Sequence, residues 1–166
     1  MGLPFSSENT LGWRTRYEAV RRWRGRCGQC FTGDACTNDN DFVDFFLAFM
    51  VTCYSLRDFV IHTGEVEKGE LDKLIQDCEP MRLCRDICNR GKHYAISRPS
   101  VDAQWSLGRE HIPWSGGKHK YFLIAGGKKY DPLRLVGECE RFWGNLIDEK
   151  RLVEPTNPFS RKSRDG

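Results

Sequence analysis

The chain has 166 residues, of which 30% are charged, 39% hydrophobic and 12% aromatic. This composition excludes a disordered or collagen-like chain, and the length fits one domain with a substantial core. Lysine and arginine number 26 against 23 acidic residues, and the formal net charge of +3 is too small to indicate a nucleic-acid-binding protein by itself. We expect a single domain over residues 11–152, between flexible termini at 1–10 and 153–166.

The first predicted helix, Leu11 to Arg26, is strongly basic. Trp13, Tyr17 and Val20 recur at helical spacing and are expected to face the core. The helix carries six arginines and one glutamate, a charge of about +5 that exceeds the net charge of the whole chain. Four of the arginines are candidates for contacts with a nucleic-acid backbone, namely Arg14, Arg21, Arg22 and Arg24.

Eight cysteines leave three interpretations open: a disulfide scaffold, a zinc site, or reduced thiols. Cys27, Cys30 and Cys36 form a C-x2-C-x5-C cluster, which is half of a zinc knuckle. They are the candidates for a metal site, but the second C-x2-C or H-x3-H half is missing, which favours no bound metal. The first ten residues lack the basic and apolar segments of a secretory signal, so we expect a cytoplasmic protein with reduced thiols.

A second helix is predicted from Asp39 to about His62. Its middle part, Phe45 to Leu56, is apolar on nearly every side, which is typical of a helix buried at the centre of a bundle. This run is too short for a membrane-spanning helix and is followed by charged residues, so we expect no membrane partner.

The rest of the chain predicts two more helices, a small β region and a last helix. The helices are Lys68–Gln76 and Pro80–Tyr94, and the strands are Ala103–Leu107, Lys120–Ala125 and Lys128–Tyr130. Asp131 and Pro132 predict the N-cap and first position of the last helix. The predicted fold class is mainly α: a four- to five-helix bundle with a small antiparallel β-hairpin inserted before the last helix.

One face of the fourth predicted helix gathers the residues that are capable of chemistry. At 100° per residue, Arg85, Asp86, Asn89, Lys92 and His93 share this face, while apolar residues fill the opposite side. The imidazole of His93 is a potential general acid or base, and a carboxylate could orient it. The alternative is the ordinary solvated face of an amphipathic helix.

The segments from Cys53 to Phe59 and from Cys84 to His93 resemble a group of uncharacterised bacterial helical proteins with the signature C-R-D-L-x-N-x-x-K-H. This resemblance covers about residues 39 to 152. More distantly, the chain resembles the HEPN superfamily of four-helix bundles, many of which are metal-independent ribonucleases of the toxin or defence type that act as dimers. The resemblance implies an endoribonuclease and a homodimer, with RNA as substrate. It also implies catalysis by Arg85 and His93, supported by Asp86, Asn89 and Lys92.

A second hypothesis is a non-catalytic interaction module that binds a partner protein, a nucleotide or a nucleic-acid backbone. It stays open because seven residues separate Arg85 from His93, where the superfamily motif has four to six. A cofactor-dependent enzyme has little support, since neither a G-x-G-x-x-G motif nor a P-loop is present, and we expect no cofactor.

Overall fold

The computed structural model describes residues 12–32, 39–62, 66–92, 99–102, 104–111 and 119–152. Within these ranges the protein is mainly helical, with a small three-stranded antiparallel sheet. The elements are α1 (Trp13–Thr32), α2 (Asp39–His62), α3 (Lys68–Asp77), α4 (Glu79–Lys92), β1 (Ser106–His111), β2 (His119–Ala125), β3 (Lys128–Tyr130) and α5 (Pro132–Lys150). The fold confirms a helical bundle with a β insertion before the last helix.

Four long helices surround the core. α1 and α4 each pack against both α2 and α5, and α2 also packs against α5. The short helix α3 packs against α4, and β2 packs against α5. In this arrangement α1 and α4 lie on opposite sides of the α2–α5 pair, so their outward faces belong to different surfaces of the molecule.

Helix α2 is the central element, as its apolar run predicts. Its largest buried side chains are Phe42, Phe46, Phe49, Met50 and Leu56, all 0% exposed. By length and composition alone, the stretch from Asn40 to His62 is apolar enough to cross a membrane, with a mean hydropathy of 1.3. The uncharged run alone is too short to cross a membrane, but the longer apolar stretch of α2 is not. In this fold α2 packs on three other helices.

Side-chain caps explain where two of the helices begin. The Glu67 carboxylate accepts hydrogen bonds from the backbone N–H groups of Gly69 and Glu70, at 2.6 and 3.1 Å, at the start of α3. Asp131 caps α5 in the same way, and Pro132 takes the first helical position. The predicted N-cap of α5 is confirmed.

Helix α1 continues past its predicted end at Arg26 to Thr32. In this added part of the helix, Cys27 is fully buried and Cys30 packs against the core. Cys27 follows the buried Val20 by seven residues, which is two helical turns. The apolar stripe of α1 therefore includes Cys27, whose side chain acts as a small hydrophobic group.

The sheet has the strand order β1-β2-β3, with Gly126 and Gly127 in the turn between β2 and β3 at φ values of 56° and 73°. β1 begins three residues later than the predicted strand at Ala103. The reason is a turn at Asp102, whose carboxylate accepts hydrogen bonds from the N–H groups of Gln104 and Gly126 at 2.7 and 2.9 Å. Asp102 thus fixes the entry to β1 and also holds the β2–β3 turn.

Aromatic and polar contacts attach the sheet to the helices. The Tyr121 ring of β2 lies 4.2 Å from the Phe42 ring of α2, measured between centroids. On β3, the Tyr130 hydroxyl donates to Glu79 at the start of α4, at 2.8 Å, and Lys128 pairs with the same carboxylate at 3.0 Å. Burial, followed by this carboxylate, raises the pKa of Tyr130 to about 12.

Candidate anion-binding surfaces

An open groove lies between the outward face of α1 and helix α5, with a volume of about 670 Å³. We call it the α1–α5 groove. Its walls carry three of the four arginines that were candidates for backbone contacts, and its floor contains two glycines. The lining residues are Glu18, Arg21, Arg22, Arg24, Gly25, Gly28 and Glu140.

Glu140 of α5 holds two of these arginines in place. Its carboxylate lies 2.5 Å from Arg24 Nη1 and 3.8 Å from Arg21 Nε. The Glu140 side chain is only 13% exposed, whereas those of Arg21 and Arg24 are 66% and 54% exposed. Each guanidinium has five N–H donors, so the two arginines keep donors directed to solvent while Glu140 positions them.

Glycine makes the floor of the groove open. A Cβ atom added at Gly25 or Gly28 would meet no other atom within 4 Å. No close packing inside the protein therefore requires glycine at these helical positions, where it costs about 1 kcal/mol relative to alanine. The result is a shallow depression between arginines on α1.

The remaining arginines of α1 stack on aromatic rings. The Arg16 guanidinium lies 4.7 Å from the Phe59 ring of α2, and that of Arg26 lies 4.5 Å from the Trp23 ring. Arg14 lies over Trp13 at 5.7 Å, outside the lining of the groove. The structure thus places Arg21, Arg22 and Arg24 together, and Arg14 apart from them.

Helix α4 buries the apolar side that its sequence predicts. Met81, Leu83, Cys84, Ile87 and Cys88 are all at most 1% exposed. The opposite face includes Asn89, which is half-buried. The Lys92 side chain and the whole of His93 lie outside the described residues, so the structure does not describe the end of this face.

Asp86 is buried, although the helical repeat predicts it on the polar face. Its side chain is 1% exposed, and its oxygens accept hydrogen bonds from the backbone N–H groups of Ser100, Val101 and Asp102, at 2.6 to 3.1 Å. The 99–102 segment folds over this side of α4 and takes Asp86 out of solvent. In the described residues, therefore, this carboxylate anchors the segment that leads to β1.

Arg85 directly precedes Asp86 on α4, and its side chain is 27% exposed. Its nearest carboxylate oxygen is Asp86 Oδ1, 3.9 Å from Nε, which is beyond hydrogen-bond distance. Arg90 behaves differently. It donates to the carbonyl oxygen of Trp105 at 2.7 Å and lies 5.3 Å from the Trp105 ring, so it holds the segment before β1 against α4.

Arg57, one of the charged residues that follow the apolar run of α2, forms an ion pair that has two hydrogen bonds. Arg57 donates to both oxygens of Asp72 on α3, from Nε at 2.6 Å and from Nη2 at 2.9 Å. The hydrogen bonds lower the pKa of Asp72 below its usual value of 3.8. Fifteen residues separate the partners, so no helical spacing could have indicated this pair.

The cysteine cluster does not form a metal site in the described part of the chain. Burial raises the pKa of Cys27 to about 12, which keeps its thiol protonated, and Cys30 is disulfide-bonded. Cys36 lies outside the described residues. No group of three histidine, cysteine or acidic side chains within the described ranges could hold a metal ion. The disulfide at Cys30 corrects the expectation of reduced thiols at this position.

Three other thiols, those of Cys53, Cys84 and Cys139, meet where α2, α4 and α5 pack together. They are in mutual hydrogen-bonding contact and are fully buried. Cys84 and Cys139 also contact the carbonyl oxygens of Met50 and Pro80, both at 3.4 Å. Burial raises the pKa of Cys84 and of Cys139, so the thiols of these two residues are neutral packing groups of the core.

The described residues therefore gather three exposed arginines in the α1–α5 groove, whereas Arg85 of α4 is only partly exposed. Comparison with known proteins adds no assignment to either, since no family model, curated protein or solved structure matches the chain.

Proposed function

We propose that the protein is an RNA-binding module that contacts the phosphate backbone of a single strand through the α1–α5 groove. The supporting observation is the set of three adjacent arginines, two of them positioned by one nearly buried glutamate. Guanidinium groups suit phosphate oxygens because their planar donors can form two parallel hydrogen bonds. The open floor at Gly25 and Gly28 leaves space for a backbone to approach the helix.

Backbone contacts of this kind give affinity without reading sequence. Each neutralised phosphate releases bound counterions, so binding weakens as salt increases. Arginines already stack on two aromatic rings of α1, Trp13 and Trp23, so phosphate contact is the main contribution that we expect from this surface. The proposal therefore predicts low sequence preference and strong salt dependence.

A matched pair of charge reversals tests the groove. Arg22 lines the groove and is exposed, and Lys73 is exposed on α3, away from α1. In fluorescence anisotropy with a labelled 20-nucleotide RNA, we expect Arg22→Glu to weaken binding about tenfold and Lys73→Glu to change it less than about twofold. Equal losses in the two variants would mean that net charge, rather than the groove, governs binding.

We propose RNA cleavage by Arg85 and His93 as a second candidate function. It is favoured by the side chain of Arg85, which is partly exposed and makes no hydrogen bond to the described residues. Arg85 and Lys92 would bind the phosphate, Asn89 would support them, and His93 would transfer a proton. This proposal keeps the HEPN-like relationship and the homodimer, and four long helices around one core are compatible with that superfamily.

Cleavage is tested with single-stranded RNA and no added metal. Wild-type protein, Arg85→Gln and His93→Ala are purified in parallel, and products are separated on denaturing gels. We expect cleavage only by the wild type. Equal cleavage by all three preparations would assign the activity to a contaminant and remove both residues from the mechanism. Absence of cleavage together with salt-dependent binding would leave the groove as the functional surface.

A further inference from the structure

Beside the α1–α5 groove, an arginine lies over a pair of aromatic rings. The Arg26 guanidinium is 4.5 Å from the centroid of the Trp23 ring and 5.9 Å from that of the Phe45 ring on α2. The two rings pack against each other, with 6.0 Å between their centroids. Both aromatic residues are half-buried, whereas Arg26 is exposed. We call these three residues the Arg26 platform.

The Arg26 platform adjoins the groove. Arg22 lines the groove, and Arg26 follows it by four residues, so the two side chains are neighbours on the surface of α1. Gly25, which also lines the groove, directly precedes Arg26. A nucleotide whose phosphate contacts Arg22 therefore has its base, or the next base of the strand, close to the platform.

The outer side of the Arg26 guanidinium is available to a ligand. Within the described ranges this group makes neither a hydrogen bond nor an ion pair, and its contacts are those with the two rings. Attraction between the cation and the Trp23 ring restricts the positions that the guanidinium takes before a ligand binds. Arg16 differs, because it lies over Phe59 but is itself half-buried.

We propose that the outer face of the Arg26 guanidinium stacks on one base of an RNA strand bound in the α1–α5 groove. The inference rests on the proposed RNA binding and adds a base contact to it. A planar, weakly hydrated guanidinium stacks on unpaired bases, as aromatic rings do. All four bases offer such a face, so stacking adds affinity for single strands without selecting a sequence. In a duplex the base faces are covered by their neighbours, so the platform discriminates against duplexes.

Two strands that differ only in their bases test the stacking site. A labelled 20-nucleotide uridine RNA is compared, by fluorescence anisotropy at constant salt, with an abasic strand of the same length and backbone. Both strands offer the same phosphates, so contacts in the groove alone would give equal affinities. We expect the wild type to bind the uridine strand about fivefold more tightly than the abasic strand.

Conservative variants assign this preference to Arg26. Arg26→Lys keeps the charge and removes the planar group, so the affinity ratio between the two strands should fall to about one while the salt dependence stays the same. Arg16→Lys is the matched control, and it should keep the wild-type ratio. Equal affinity of the wild type for both strands, or an unchanged ratio in Arg26→Lys, would overturn the stacking site and leave the groove in place. Absence of binding to either strand would overturn both proposals.

Discussion

At the scale of single residues, Asp86 shows how a polar residue of a signature-like segment can serve the fold. Its position on α4 suggests a solvent-facing carboxylate, yet it is 1% exposed and accepts hydrogen bonds from three consecutive backbone N–H groups. A carboxylate can be buried when such donors replace its hydration. Asp86 therefore links α4 to the segment that enters the sheet.

Replacement of Asp86 should be costly. Asp86→Asn places an amide N–H₂ among backbone N–H donors, and we expect the free energy of unfolding to fall by about 2 kcal/mol or more. Asp58, whose side chain is 75% exposed, offers a matched control, and Asp58→Asn should cost about 0.5 kcal/mol or less. Urea unfolding followed by circular dichroism compares the two. Similar midpoints for both variants would contradict the structural role of Asp86.

Replacement of glycine by alanine should change the stability of the fold in opposite directions at two positions. A Cβ at Gly108 of β1 would lie 2.5 Å from the Phe122 ring, whereas one at Gly25 of α1 meets nothing within 4 Å. We expect Gly108→Ala to destabilise the fold by about 1 to 3 kcal/mol and Gly25→Ala to stabilise it by about 0.5 to 1 kcal/mol. Thermal unfolding of both variants measures the difference. A stabilised Gly108→Ala protein would show that the ring does not lie on this glycine.

At the scale of elements, the short helix α3 is attached to α2 by the Arg57–Asp72 pair and by its own apolar side. Leu71 and Ile75 of α3 are buried, as its spacing predicts. The ion pair also fixes the orientation of α3, because its two parallel hydrogen bonds set the rotation of α3 against α2.

The lowered pKa of Asp72 makes this attachment dependent on pH. A depressed carboxyl pKa stabilises the folded state above the unfolded value of 3.8, and this contribution is lost as pH falls through the lower folded value. The Asp72 side chain is 43% exposed, so solvent screening limits the effect to about 1 kcal/mol or less.

Urea unfolding at pH 7 and pH 2.5 measures this contribution. We expect Asp72→Asn to be less stable than the wild type at pH 7 and nearly equal to it at pH 2.5. Asp77→Asn, an exposed position on the same helix, is the control and should match the wild type at both pH values. A stability difference for Asp72→Asn that persists unchanged in acid would rule out the ion pair as its cause.

Periodicity predicted the elements well and their mutual contacts poorly. The bounds of α2 and the cap of α5 follow from apolar runs and from Asp131, which act within a few residues. The end of α1 was predicted too early, because the burial of Cys27 depends on the neighbouring helix. The burial of Asp86 and the Arg57–Asp72 pair join segments about fifteen residues apart, and neither has a helical or strand period.

At the scale of the whole molecule, the distribution of charge matters more than its total. A net charge of +3 conceals a helix with six arginines, and the fold gathers three of them in one groove. The position of α1 at the side of the α2–α5 pair leaves this face open, whereas α4 on the other side is partly covered by the 99–102 segment and by Trp105. The groove is therefore more accessible than the partly exposed Arg85.

The salt dependence of RNA affinity tests the central claim most directly. Anisotropy titrations between 50 and about 300 mM salt compare the wild type with a triple variant, Arg21→Gln, Arg22→Gln and Arg24→Gln. For single strands each phosphate contact contributes about 0.7 to the slope of log affinity against log salt, so the triple variant should lose about 2 of that slope. An unchanged slope in a folded triple variant, or no measurable affinity of the wild type at the lowest salt, would contradict RNA binding by the α1–α5 groove.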